Sequence, residues 1–258
     1  MLRFRNLGSG STGNATVVEA RDGLTTTRLL IDCGLGVRQL EARLAAAGLE
    51  LADLDAIFIT HEHADHIGCA PELARRRGIP LWMSHGTRHA IARLDASVEV
   101  RLVQDGETAA LGALQVRPFT VPHDAREPLQ LRCSDGARHL GVLTDLGHAT
   151  RHVLDMLDGC HALLLECNHD PALLEASSYP PFLKRRVAGP WGHLSNASAA
   201  DIARQLRHDG LCHVVAAHLS QQNNRPELAA QALADALGCA AADVLVADAG
   251  TGTAWLEA

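Results

Sequence analysis

The segment THEHADHIG, residues 60–68, places three histidines and one aspartate within six positions at the end of the apolar stretch AIFIT. His61 and His63 are two residues apart, so their rings can point the same way on an extended turn. Asp65 and His66 follow as the chain bends towards a helix. Four ligands on one short loop suit two ions better than one tetrahedral ion. Imidazole and carboxylate suit Zn²⁺, Mn²⁺ or Fe, so the pattern predicts two divalent metal ions.

Such a dinuclear site needs further ligands, and three polar residues follow apolar strands at suitable places. His123 ends FTVPH, Asp145 ends GVLTD and His218 ends VVAAH. Each residue alone could equally be a core or loop residue, but together they predict a metal site at the strand ends. Asp145 is the candidate for a carboxylate that bridges two ions. A histidine-rich surface loop or a single structural zinc is the alternative.

The hydrophobic pattern around these residues alternates between strands and helices. Strands are predicted at 14–20, 26–32, 56–60, 79–83, 98–103, 114–121, 129–134, 139–145, 161–167, 212–220, 243–247 and 253–257. Helices are predicted at 36–48, 70–78, 148–159, 195–210 and 225–238. Strand-rich halves that each finish in helices predict two sheets packed together with helices outside, in a single domain over residues 1–258.

The composition limits the possible partners. The 258 residues carry a net charge of −7, which argues against a surface that is basic all over. A nucleic-acid ligand would need a local basic patch or the help of metal ions. Seven cysteines without a CxxC pair favour reduced thiols. We expect no signal peptide and no membrane helix, and therefore a cytoplasmic protein; the oligomeric state stays open.

The motifs THEHADHIG, His123, TDLG and AHLS resemble the ligand motifs of the metallo-β-lactamase fold. The resemblance spans nearly the whole chain and implies an α+β four-layer αββα sandwich with the ions at the sheet edge. It assigns one ion to His61, His63 and His123, and the other to Asp65, His66 and His218. Asp145 bridges the two ions in this assignment.

Two such ions would lower the pKa of a shared water and give hydroxide at neutral pH. This metal-activated hydroxide could hydrolyse phosphodiesters, thioesters, lactones or lactams. GHLSNASAA around His193 is similar to a segment of ribonuclease Z-type phosphodiesterases in which a histidine acts on the leaving oxygen. LLLEC around Glu166 resembles the segment whose glutamate orients that histidine. The predicted catalytic residues are therefore His193, Glu166 and the metal ligand Asp65.

Over residues 7–230 the chain resembles the YycJ/WalJ-type branch of these hydrolases, which implies a metal-dependent DNA exonuclease with a link to DNA repair. The basic run at 184–186 is a candidate phosphate contact, or else a solvated helix face. Polar side chains near Glu166 and His218 could line the substrate pocket, or cap loops instead. The predicted substrate contacts are Asn168, His169, Lys184, Ser195 and Asn223.

Two other functions stay open at this stage. A protein of this fold could instead be a small-molecule phosphodiesterase, thioesterase or lactonase. The negative net charge is compatible with this alternative. A non-enzymatic metal-binding protein is the second alternative. The loss of His61 or Asp145 would have favoured it, but both residues are present.

Overall fold

A computed structural model describes all residues 1–258, and its fourteen strands form two seven-stranded sheets. The strands are β1 (Leu2–Gly8), β2 (Ala15–Asp22), β3 (Thr25–Ile31), β4 (Ala56–Phe58), β5 (Leu81–Met83), β6 (Val100–Leu102), β7 (Ala109–Leu111), β8 (Leu114–Thr120), β9 (Leu129–Ser134), β10 (His139–Leu143), β11 (Ala162–Glu166), β12 (His213–Ala217), β13 (Leu245–Val246) and β14 (Leu256–Glu257). The first sheet has the order β14-β1-β2-β3-β4-β5-β6, and the second has the order β13-β12-β11-β10-β9-β8-β7.

Each sheet is antiparallel on one side and parallel on the other. In the first sheet β3, β4, β5 and β6 run parallel, and in the second β10, β11, β12 and β13 do. Parallel strands need long crossovers, and the helices of the chain supply them. The carboxyl ends of the central strands therefore meet at one edge, which is where a ligand site is expected.

Nine helices connect the strands. They are α1 (Val37–Ala46), α2 (Ala64–Ile67), α3 (Ala70–Arg77), α4 (His85–Ala90), α5 (Arg151–Leu157), α6 (Pro171–Ala176), α7 (Pro181–Val187), α8 (Asn196–Leu206) and α9 (Pro226–Leu237). The five predicted helices are all present, within a few residues of their expected ends. No helix combines the length and the apolar character that a membrane crossing needs.

Alternation along the strands divides the apolar side chains into three layers. Val18 and Leu164 belong to the core between the sheets, which buries 24 residues. Their neighbours Val17 and Leu163 face outwards, Val17 into a layer with α1 and α3 and Leu163 into a layer with α5, α8 and α9. The molecule is therefore an αββα sandwich, which confirms the predicted fold class.

Candidate metal centre and active site

The predicted ligand loop leaves β4 and turns at once into the short helix α2. His61 and His63 precede this helix, with His63 in extended backbone, whereas Asp65 and His66 lie within it. The loop packs tightly on the end of β3: a Cβ atom added at Gly34 would lie 1.7 Å from the carbonyl oxygen of Asp65. Only glycine permits that approach, so the backbone of 32–34 fixes the position of the loop.

Three of the predicted ligands converge in a first cluster. His61 Nε2 lies 3.0 Å from His63 Nδ1, and His123 Nε2 lies 3.4 Å from the same atom. His61 and His63 come from the first sheet, while His123 follows β8 of the second. The ligand atoms of the three side chains all lie within 4.8 Å of one another, which is a spacing that one ion can bridge.

A second cluster lies beside the first and again joins both sheets. The Asp65 carboxylate lies 3.6 Å from His66 Nε2 and 3.7 Å from His218 Nε2. Asp145 stands between the clusters, with Oδ2 3.1 Å from His66 Nε2 and Oδ1 3.9 Å from His123 Nε2. All seven predicted ligands therefore surround one small space.

The outward-facing nitrogen of four of these rings has a partner of its own. Nδ1 of His66 lies 2.7 Å from Oδ2 of Asp32, and Nδ1 of His218 lies 2.7 Å from the carbonyl oxygen of Thr144. Nδ1 of His61 meets the Thr60 hydroxyl at 3.1 Å, and Nδ1 of His123 meets the Gly192 carbonyl at 3.1 Å. Such partners fix the ring orientation and leave Nε2 for a metal ion.

Buried atoms without partners test whether this space suits a cation. Oδ2 of Asp145 and Nε2 of His218 are buried and make no hydrogen bond, although Oδ2 of Asp145 lies 3.1 Å from His66 Nε2. Burial alone would lower the pKa of His66, but Asp145 and Asp32 outweigh burial and raise that pKa to about 10. The carboxylates thus favour positive charge at this position. The donor set and its orphaned atoms fit divalent metal ions.

His193 lies at the rim of the centre and is held by Glu166. Its Nδ1 is 2.7 Å from Oε1 of Glu166, which is fully buried at the end of β11. The other oxygen, Oε2, accepts hydrogen bonds from the backbone N–H groups of Leu146 and Leu194, both at 3.1 Å. Burial alone would lower the pKa of His193, but the Glu166 carboxylate outweighs burial and raises it.

The predicted substrate contacts lie around the loops that follow β11 and β12. Asn168 donates to the carbonyl oxygen of His218 at 3.1 Å, and the ammonium group of Lys184 donates to the carbonyl oxygen of Glu175. Ser195 caps α8 by accepting from Ser198 N–H. His169 and Asn223 are buried, and each has one side-chain atom without a partner. Their contact with substrate stays a prediction.

Two residues of the centre, Asp32 and Asp124, were not predicted, and Arg186 was predicted only as part of the basic run 184–186. Asp32 orients His66, and it follows the apolar run RLLI as the predicted ligands follow their own strands. Asp124 lies 3.5 Å from His123 Nε2. Arg186 pairs with Asp124 at 2.7 Å and lines the same cavity, of about 310 Å³, as Asp145 and His193. The strand-end signal could have found Asp32, but sequence spacing gives no signal for the Asp124–Arg186 pair.

Comparison with known proteins adds independent findings. Residues 27–218 match the beta-lactamase superfamily domain. Exodeoxyribonuclease YycJ of Bacillus anthracis is 34% identical over 239 residues, which cover 92% of this chain and 89% of that protein. Exodeoxyribonuclease WalJ of Streptococcus pneumoniae is 32% identical over 234 residues, covering 88% of this chain and 85% of that protein.

Among solved structures, the metallo-beta-lactamase fold protein YhfI from Bacillus subtilis superposes with a TM-score of 0.75. The sequence identity is 16%, and the superposition covers 100% of both chains. At this identity the likeness concerns the fold, which agrees with the layers and sheet order described above.

Proposed function

This chain belongs to the beta-lactamase superfamily, and on that premise we propose that it is a metal-dependent phosphodiesterase that removes nucleotides from DNA ends. The observation that carries the proposal is the His193–Glu166 pair at the edge of the metal centre, with 2.7 Å between Nδ1 and Oε1. Ester hydrolysis at a phosphodiester needs a nucleophile on one side and a proton for the leaving oxygen on the other. His193 could supply the proton, and metal ions bound by the neighbouring ligands would supply the nucleophile.

The proposed centre holds two divalent ions. His61, His63 and His123 would hold one, and Asp65, His66 and His218 would hold the other, with Asp145 between them. Zn²⁺ and Mn²⁺ are the favoured ions because the ligands are imidazole and carboxylate, and Fe is a third candidate. Bound ions of this kind supply a hydrolytic nucleophile at neutral pH and neutralise negative charge on the phosphodiester.

His193 is the proposed general acid. Glu166 occupies Nδ1 of the ring, so Nε2 is the nitrogen that can pass a proton to the leaving oxygen. The Glu166 carboxylate raises the pKa of His193 above its ordinary value, which favours the protonated ring. The backbone N–H groups of Leu146 and Leu194 hold Glu166, so the imidazole is fixed before substrate arrives. Asp65 takes part only as a metal ligand in this scheme.

DNA is the proposed substrate because two relatives that align over most of the chain are named exodeoxyribonucleases. A role in DNA repair is the corresponding cellular proposal, and a cytoplasmic location is consistent with it. Lys184, Asn168, His169, Ser195 and Asn223 remain the proposed contacts to the substrate. Because the chain has a net charge of −7, attraction of the phosphates would depend on the basic side chains near the centre.

The test is hydrolysis by purified protein of known metal content. The substrates are 5′- and 3′-labelled single- and double-stranded DNA, RNA, and bis(p-nitrophenyl) phosphate, each with Mn²⁺ or Zn²⁺. Ladder products from labelled DNA that are absent with Asp145→Ala would support the proposal and give the polarity. Cleavage of the small diester alone would favour a small-molecule phosphodiesterase. Inactivity on every phosphodiester would overturn the proposal and favour a thioesterase or lactonase.

A further inference from the structure

The segment 181–191, which comprises α7 and the turn that follows it, carries the two most exposed aromatic residues of the chain. Phe182 is 66% exposed and Trp191 is 59% exposed. The chain has only eight Phe, Trp and Tyr residues, and the other six are buried or half-buried. Exposed aromatic rings lose the free energy of burial, and two of them within this one segment point to a ligand-binding surface.

The same segment is basic and contributes nothing to the core. Lys184, Arg185 and Arg186 follow one another on α7, and no residue of this helix is buried. An apolar core contact therefore does not explain why the helix lies here. In a protein with a net charge of −7, three consecutive cations give this surface a local positive potential.

Arg186 reaches the cavity of the metal centre itself. Its Nε donates to Asp124 Oδ2 at 2.7 Å, and its terminal nitrogens have no acceptor in the protein. The guanidinium lines the cavity together with Asp65, Asp145 and His193. Asp124 thus orients a cation that is not a metal ligand and leaves two nitrogens for an anionic oxygen of a substrate.

Main-chain hydrogen bonds fix the segment to the centre. His193 N–H donates to the Val187 carbonyl at 2.8 Å, and Asp124 N–H donates to the Trp191 carbonyl at 3.0 Å. A Cβ atom added at Gly192 would lie 2.2 Å from the Arg186 carbonyl, so this approach needs glycine. The backbone that carries the aromatic and basic side chains is therefore fixed relative to His193.

We propose that the segment 181–191 is a docking surface for a single strand of DNA, with Phe182 and Trp191 stacking on unpaired bases and Arg186 contacting a phosphate. Stacking rings combined with cations along a backbone are the features that bind single-stranded nucleic acid. A duplex would hide the base faces that the two rings need. The inference rests on the proposed function and narrows its substrate to an unpaired end.

Binding is measured first, with a fluorescein-labelled phosphorothioate oligothymidylate that resists cleavage and with the metal-loaded protein. The double variant Phe182→Ala/Trp191→Ala should weaken binding by about tenfold or more, because one stacked base contributes ~1–3 kcal/mol. Leu24→Ala is the matched control and should bind like the wild type, because it removes a fully exposed apolar side chain that is far from residues 181–191 in sequence. Trp191→Phe should retain most of the affinity, since it keeps a ring.

Arg186→Gln tests the phosphate contact separately. The slope of log affinity against log salt should become shallower by about 0.7, the value for one phosphate on a single strand. Affinities of both variants within twofold of the wild type would overturn the inference. So would an equal loss of affinity for a blunt duplex, because no unpaired base is offered there.

Cleavage distinguishes this inference from the proposed function. If the wild type degrades DNA, the double variant should lower the ratio of kcat/KM for single-stranded DNA to that for bis(p-nitrophenyl) phosphate by about tenfold. If the wild type cleaves no DNA, the proposed function fails, and the binding result alone decides on the docking surface.

Discussion

Nδ1 of His193 lies 2.7 Å from Oε1 of Glu166, which is 27 residues away in sequence. Glu166 is buried, and two backbone N–H groups hold its carboxylate in position. The carboxylate that is held in this way presents Oε1 to Nδ1 of His193 at 2.7 Å and to Nδ1 of His218 at 3.3 Å. The imidazole is consequently oriented by the end of β11, although Oδ1 of the proposed ligand Asp145 also lies 3.4 Å from the same nitrogen. The proposed roles differ, so variants of His193 and of the proposed metal ligands should affect proton transfer and metal binding differently.

His193→Ala should keep the metal content of the wild type and lower kcat by ~10²–10⁴, the usual contribution of a general acid. Metal analysis by inductively coupled plasma emission and steady-state kinetics on the same preparation measure both quantities. Glu166→Gln should give a smaller loss in kcat with little change in KM, since it acts through His193. A parallel fall of metal content and activity in His193→Ala would instead make His193 a ligand.

Asp145→Ala should lose bound metal as well as activity. Its carboxylate lies between both ligand clusters, with Oδ2 3.1 Å from His66 Nε2 and Oδ1 3.9 Å from His123 Nε2. The loss of activity should exceed the ~10–100-fold that removal of an outer partner causes. Asp170→Ala, which removes only the cap of α6, is the matched control and should retain metal. Full metal content in Asp145→Ala would refute the bridging role.

Asp32→Asn should weaken metal affinity by about 10–100-fold without removing a ligand. The Asp32 carboxylate accepts from Nδ1 of His66 and from the Thr60 backbone and hydroxyl, so the charge and the ring orientation both depend on it. Asparagine tolerates the positive φ of 60° at this position. Competition with a chromogenic chelator gives the affinity, and the exposed Asp22→Asn serves as control. Equal affinities for the two variants would contradict the role.

Glu19→Gln should lower the free energy of unfolding by about 1–3 kcal/mol at pH 7. The Glu19 carboxylate has 0% exposure and pairs with Arg3 at 2.7 Å, Arg28 at 2.8 Å and Arg21 at 3.0 Å. Burial alone would raise its pKa, but Arg3 and Arg28 outweigh burial and lower it below the ordinary value of 4.5. Stability from this group is present above pH 4.5 and is lost as the pH falls through the lowered pKa.

Urea denaturation of wild type and Glu19→Gln at several pH values checks this dependence. The gap in unfolding free energy should be constant above pH 5 and should narrow below pH 4. Glu99→Gln, at an exposed position, is the control and should follow the wild type at every pH. A gap that stays constant down to pH 3 would show that packing, not charge, is lost in Glu19→Gln.

The clustering of the proposed metal ligands could be predicted from sequence because they follow apolar strands, and strand ends meet at one edge in this kind of sheet. The same rule applied to Asp32 would have added it. Short elements without periodic apolar residues gave no such signal: α7 starts at Pro181 and buries nothing, so no apolar face marks it as a helix. The 2.7 Å contacts of Glu166 and Asp124 depend on tertiary packing that spacing along the chain does not contain.

The segment 181–191 is attached to the rest of the molecule mainly through its backbone, which affects how its sequence can diverge. The carbonyl and N–H groups of Val187, Trp191 and His193 make its attachments, and the Gly192 carbonyl accepts from His123. Apart from the Arg186–Asp124 pair, these contacts do not depend on which side chains the segment carries. Selection, or an engineer, can therefore exchange its side chains to suit a new substrate while the hydrolytic machinery stays unaltered.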